Sequence, residues 1–155
     1  MTHLADGQKI PAFRVQATSG VQLRDADLIG TKTLFYFYPK DHTPGCTQEG
    51  QDFRDAYADF VAAGVQIFGI SRDSLKTHEN FKQKQGFPFE LICDADETLC
   101  RLFDVIKLKK LYGKEYLGIE RSSFLIDADG KLARSWRKVS VKDHVADVLT
   151  ACRQL

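Results

Sequence analysis

The sequence predicts a three-layer α/β domain, a mixed central sheet flanked by helices, and three observations carry that expectation. Apolar, β-rich runs alternate with segments of helical periodicity through the middle of the chain. A short alternating hairpin precedes them, and a second hairpin followed by an amphipathic helix closes the chain. Alternating strands and helices call for parallel pairing, while the hairpins add antiparallel strands.

The elements follow in order. Ala12 to Thr18 alternates, Ser19-Gly20 turns the chain, and Val21 to Leu23 returns it as an N-terminal β-hairpin. Asp25 to Ile29 is a short connector of one helical turn. "TLFYFY", Thr33 to Tyr38, is apolar throughout, as a strand buried on both faces must be. A helix runs from Pro44 to about Ala63, with Phe53, Tyr57, Phe60 and Val61 on its apolar stripe and Gly64 as its stop. Val65 to Ser71 is the second central strand. Ser74 caps a polar helix that Gly86 ends after Gln85. Phe89 to Cys93 is the third central strand, and Glu97 to Phe103 a short helix. Lys107 to Gly118 reads as a basic loop. "SSFLIDADGKLARSW" reads as strand, turn and strand, and Val141 to Arg153 as a helix burying Val145, Val148, Leu149 and Cys152. With no Pro/Gly/Ser linker and no repeat, residues 1–155 are expected to form one domain.

Composition narrows the function. A net charge of +1 disfavours a general electrostatic grip on nucleic acid, and no apolar run approaches the length of a membrane span. "MTHLADGQKIP" has neither the basic start nor the apolar stretch of a secretory signal, so a cytoplasmic protein is expected. Cys46, Cys93, Cys100 and Cys152 show no CxxC and no zinc-finger spacing, so no metal site is expected.

One cysteine stands apart. In "YPKDHTPGCTQEG", Thr43 is placed to be an N-cap and Pro44 the first helical residue, where its missing N–H costs nothing. Cys46 then falls in the first turn, where unpaired backbone N–H groups and the positive end of the helix dipole favour an anion. A thiolate is the reactive form of cysteine, so the position suits a nucleophile.

The run Pro39-x-x-x-Thr43-x-x-Cys46 resembles the signature of the peroxiredoxins. "FYFYPKDHTPGCTQEGQDFRD", "GISRDS", "LICDAD" and "GIERSSFLIDADGKLARSWRKV" resemble the bacterioferritin comigratory protein (PrxQ) branch of that family, so the likeness covers nearly the whole chain. The resemblance implies a thioredoxin-like fold and thiol peroxidase activity, with no metal or organic cofactor. It implies Cys46 as the peroxidatic cysteine, Thr43 as the hydroxyl orienting the peroxide, Pro39 as a shield for the sulfur, and Arg121 as the positive charge beside it. The expected substrates are hydrogen peroxide and organic hydroperoxides, and the expected product on the enzyme is Cys46 sulfenic acid. A monomer is expected.

Other residues carry plainer readings. Glu49 either favours the helix N-terminus electrostatically or braces the site. His42 is read as solvent-facing. Lys107, Lys109 and Lys110, with Tyr112 and Tyr116, read as a solvated loop. Trp136 is a packing residue. Cys93 and Cys152 are core, and Cys100 is partly exposed. Many members of this branch carry a resolving cysteine five residues after the peroxidatic one, or in the following helix. Here those places hold Gln51 and "NFKQK" near Asn80 to Lys84. The cycle is therefore expected to use one cysteine, reset by an external thiol such as thioredoxin, glutaredoxin or a small thiol. The alternative is an internal disulfide between Cys46 and Cys100, reduced by thioredoxin.

Overall fold

The structure is a computed structural model that describes residues 4–155, so the first three residues of the stretch read against a secretory signal lie outside it. Strands β1 (Arg14–Ala17) and β2 (Gln22–Arg24) form the N-terminal hairpin. β3 (Lys32–Phe37), β4 (Val65–Ser71) and β5 (Glu90–Cys93) are the central parallel strands. β6 (Ile106–Leu111) and β7 (Lys114–Ile119) form a separate two-stranded sheet. β8 (Ser122–Ile126) and β9 (Leu132–Trp136) complete a seven-stranded mixed sheet in the order β2-β1-β5-β4-β3-β8-β9. The helices are α1 (Pro44–Asp55), α2 (Tyr57–Ala62), α3 (Leu75–Gln85), α4 (Thr98–Leu102) and α5 (His144–Gln154).

Side chains alternate across the sheet, and β3 therefore divides the core in two. Leu34, Tyr36 and Tyr38 face a cluster holding Cys46, Phe53, Phe60, Phe81, Val148 and Cys152. Phe35 and Phe37 face the other, with Ile10, Phe13, Leu99, Cys100, Phe103 and Phe124. The sheet thus stands between Cys46 and Cys100. β1 joins the edge of β5 through Gln16↔Cys93 and Ala17↔Ile92, and Thr18 Oγ1 fastens the corner by accepting from Leu91 N at 2.9 Å.

Most elements match the sequence reading. Asp25–Leu28 is the expected single turn, Ser74 caps α3 by accepting from Thr77 N, and Gly86 ends it at φ 65°. Three elements differ. The helix expected over Pro44 to Ala63 bends at Ala56 (φ −96°, ψ 3°), although Phe53 and Phe60 stay in contact with centroids 5.7 Å apart. Nothing in the structure explains the bend. α5 starts at His144 rather than Val141. Lys107 to Gly118 is not a loop: it is the β6–β7 hairpin, closed by Tyr112 and Gly113 at φ 52° and 78°. Two successive positive φ values are what a type I′ hairpin turn demands. Leu108, Leu111 and Leu117 are exposed there, so no buried face imposed the alternation by which a strand is read from sequence.

Candidate active site

The end of β3 and the start of α1 build the site. Tyr38 N donates to Ile70 O at 3.0 Å, prolonging the β3–β4 pairing to the edge of the loop. The chain then runs from Pro39 to Thr43, which occupies the N-cap position of α1 in extended conformation (φ −89°, ψ 151°), with Pro44 in the first turn. The Thr43 hydroxyl does not cap the helix. It donates to Lys40 O at 2.7 Å, which leaves its lone pairs free to accept from a peroxide O–H. The first intrahelical bond runs from Thr47 N to Thr43 O, so the N–H groups of Gly45 and Cys46 precede it and have no partner within the helix.

Cys46 is 2% exposed. Arg121, in the link between β7 and β8, donates from Nη2 to Cys46 Sγ at 3.4 Å and from Nη1 to Glu49 Oε1 at 2.6 Å. One planar guanidinium therefore touches sulfur and carboxylate at once, an arrangement a lysine could not reproduce. Glycine at position 45 makes room for it, since a Cβ there would lie 3.3 Å from Arg121 Nη2. Glu49 braces the guanidinium, the second of the two roles considered for it. Burial pushes its carboxyl up to about 7, against the pull of Arg121, and its Oε2 has no hydrogen-bond partner among the described residues. Burial lowers Arg121, but Glu49 and Cys46 outweigh that and leave it above the usual arginine value. A guanidinium so placed can stabilise negative charge on the sulfur, or on an oxygen bound beside it.

Pro39 and Arg121 also line a groove of about 430 Å³ with Lys107, Leu108, Lys109, Glu120, Lys138 and Val139. Burial first, then Arg121, holds Lys109 below the ordinary lysine value. Lys109 is thus a cation beside the site, which the reading of its segment as a solvated loop overlooked.

Other candidates lie elsewhere. His42 is exposed, at φ 63°, with its ring against Phe81. Trp136 packs on His144 and carries Arg134 over its ring. Cys152 is buried, and burial pushes its thiol up to about 11. Cys93 is half-buried rather than core: β5 ends there, and it lines an open groove with Arg14, Gln16 and Asp96. Cys100 is fully buried rather than partly exposed, and burial, then Asp94, pushes its thiol far up. Among the described residues, Asp41, Asp73 and His78 bring possible metal-ligand atoms within 4.8 Å of one another, but these atoms hydrogen-bond to one another and to neighbouring groups.

A buried thiol in the first turn of a helix, hydrogen-bonded by an arginine where the end of β3 meets the start of β8, is the arrangement of a thiol-based redox enzyme. The chain matches the AhpC/TSA family over residues 7–135 and belongs to it. It is 48% identical over 149 residues to peroxiredoxin Bcp of Bacillus subtilis, covering 96% of this chain and 95% of that one. Over 120 residues it is 56% identical to peroxiredoxin Bcp of Xanthomonas campestris, covering 77% of this chain and 75% of the relative. Solved structures agree. A bacterioferritin comigratory protein from Xanthomonas campestris, studied as a trapped intermediate/ligand complex for its alkyl peroxide reduction, superposes with a TM-score of 0.87 at 48% identity, over 92% of this chain and 90% of that one. A cysteine-to-serine mutant of Xylella fastidiosa PrxQ gives 0.93 at 35% identity, over 99% and 98%. The fold is thioredoxin-like, and the activity is that of a peroxiredoxin, a thiol-dependent peroxidase.

Proposed function

We propose that this chain, acting as one domain, reduces hydrogen peroxide and organic hydroperoxides through Cys46 in a one-cysteine cycle. The Cys46 thiolate attacks one peroxide oxygen, the O–O bond breaks, and the alkoxide or hydroxide leaves to take up a proton. Sulfur is oxidised to sulfenic acid and the peroxide is reduced to alcohol or water. Thr43 orients the peroxide by accepting its O–H, Pro39 walls the sulfur, and Arg121, braced by Glu49, stabilises the charge on sulfur and then on the leaving oxygen. An external thiol then condenses with the sulfenic acid, releasing water and leaving a mixed disulfide. A second thiol breaks that bond, restoring Cys46 and releasing the oxidised reductant as a disulfide.

The observation that carries the one-cysteine reading is that the sheet stands between Cys46 and Cys100. A disulfide needs Cα atoms within about 7 Å, which two thiols on opposite faces do not meet without unfolding. Gln51, at the first place where a resolving cysteine is usual, is instead hydrogen-bonded to Gln85 at 2.9 Å. Thioredoxin, glutaredoxin or a small thiol could serve as reductant. The four unpaired cysteines suit a reducing compartment such as the cytoplasm.

Intact-mass analysis after one equivalent of peroxide tests the cycle. The expected product gains one oxygen, and dimedone traps it at Cys46. Loss of two hydrogens, with a peptide joining Cys46 to another cysteine of the chain, would overturn the one-cysteine reading. Unchanged oxidation in Cys46→Ser would overturn the site.

A further inference from the structure

Behind the Cys46 turn lies a second polar cluster, none of whose hydrogen bonds reaches the thiol. His78 on α3 and Asp41 in the active-site loop have side chains that are both 0% exposed, and His78 Nδ1 lies 2.6 Å from Asp41 Oδ2. His78 Nε2 lies 2.9 Å from Ile92 O on β5. Tyr38 Oη donates to Asp41 Oδ1 at 2.6 Å, and Asp41 N donates to Asp73 Oδ2 at 3.0 Å. Ser71 Oγ donates to the same Asp73 oxygen. Asp41 is therefore tied by backbone and by both carboxylate oxygens to β3, α3 and the end of β4.

The proton inventory of this cluster follows from its partners. A carbonyl oxygen only accepts, so Nε2 carries a proton toward Ile92. One further proton lies between Nδ1 and Oδ2, whichever atom holds it, and the pair as a unit is neutral. That is how two fully buried ionisable groups sit here without an uncompensated charge. The very next residue, His42, is held at φ 63°, a left-handed conformation that is unfavourable for a non-glycine residue and persists where its surroundings over-determine it. Thr43 follows, with its hydroxyl on Lys40 O, and then the first turn carrying Cys46.

We propose that Asp41 and His78 are positioning residues for Cys46: their buried pair pins the loop in its strained conformation and so sets the place of Thr43 and of the first helical turn against Arg121. The proposal rests on Cys46 being the peroxide-reactive thiol. It implies that loosening the pair slows peroxide attack, which needs aligned donors, while exposing a cysteine that is otherwise 2% accessible. A merely structural role would lower stability without moving those two reactions in opposite directions.

The experiment compares, for each folded variant, the rate of Cys46 oxidation by hydrogen peroxide with the rate of Cys46 alkylation by iodoacetamide, read from the Cys46 peptide. Asp41→Ala and His78→Phe should slow oxidation by on the order of 10²-fold, the usual consequence of a small misplacement, and should speed alkylation. Asp41→Asn should restore most of the oxidation rate, because its amide can donate to a neutral His78 Nδ1 while its oxygen still accepts from Tyr38. Tyr38→Phe deletes one hydroxyl from a packed ring, so it tests the idea even where the larger changes fail to fold. It should shift the ratio the same way by several-fold. A wild-type ratio in folded Tyr38→Phe, or an Asp41→Asn as slow as Asp41→Ala, would overturn the proposal. A wild-type protein whose Cys46 resists peroxide would instead overturn the reading of the site.

Discussion

Glu49 offers the sharpest test of the electrostatics. Its carboxyl is fully buried, burial pushes it from an ordinary 4.5 up to about 7, and Arg121 opposes that rise. In this window the folded state holds the proton more tightly than the unfolded chain does. Stability from this group is therefore fully present below pH 4.5 and is lost as pH rises through about 7. A displacement of about 2.5 on the pH scale, at about 1.36 kcal/mol per pH unit, makes that loss about 3 kcal/mol. Glu49→Gln removes the titration while its carbonyl oxygen can still accept from Arg121. Its amide falls where Oε2 has no partner, which costs about 1–3 kcal/mol at every pH. The assay is urea unfolding of both proteins from pH 4 to pH 8. The stability of Glu49→Gln relative to wild type should rise by about 3 kcal/mol between pH 4.5 and 7 and then level off. Parallel curves across that window would refute the claim that Glu49 is protonated on folding.

Two further outcomes follow, one at the site and one in the core beneath α1. Arg121→Ala removes the donor to sulfur and leaves Glu49 buried without its counter-charge, so the rate of Cys46 oxidation should fall by on the order of 10²-fold. Stopped-flow oxidation of reduced protein reads it, and Arg121→Lys should recover part of the loss; a wild-type rate in the alanine variant would remove Arg121 from the mechanism. Gly50→Ala places a Cβ 2.3 Å from Phe87 Cζ, and that ring is wedged between Phe81 and Phe89 at centroid distances of 5.1 Å. Overpacking of this kind costs about 1–3 kcal/mol, measurable as a lower urea midpoint that Phe87→Leu in the same chain partly restores. An unchanged midpoint would mean that the ring yields.

What the sequence discloses depends on how local the signal is. β3, β4 and β5 are largely apolar runs buried on both faces, and they are legible because burial dictates most of their positions. Thr43, Pro44 and Cys46 are legible because an N-cap, a first-turn proline and a dipole-facing thiol lie within four residues. Arg121 sits 75 positions from Cys46, and no periodicity joins them; family resemblance alone marked it. The β6–β7 hairpin was hidden because its exposed leucines and lysines show no buried face, although Tyr112-Gly113 between runs of equal length was a usable turn signal. Cys93 and Cys100 exchanged their expected environments for a related reason. A strand end and a one-turn helix are placed by what packs beside them, not by their own composition.

His78 shows the limit most clearly. In "LKTHENFKQKQ" it is one polar residue in a polar helix, and nothing around it marks it as fully buried. Its meaning arises when β5 brings Ile92 O to one ring nitrogen and the active-site loop brings Asp41 to the other. The same sheet that sets Cys100 apart from Cys46 thus provides, on its interior strand β5, the fixed acceptor against which the loop is anchored. The two halves of the proposed cycle then make opposite demands on that loop. Peroxide attack requires the strained turn to be held still, whereas condensation with an external thiol requires access to a sulfur that the held turn buries. With the sheet between Cys46 and Cys100, the loop that Asp41 and His78 hold is where those demands must be reconciled.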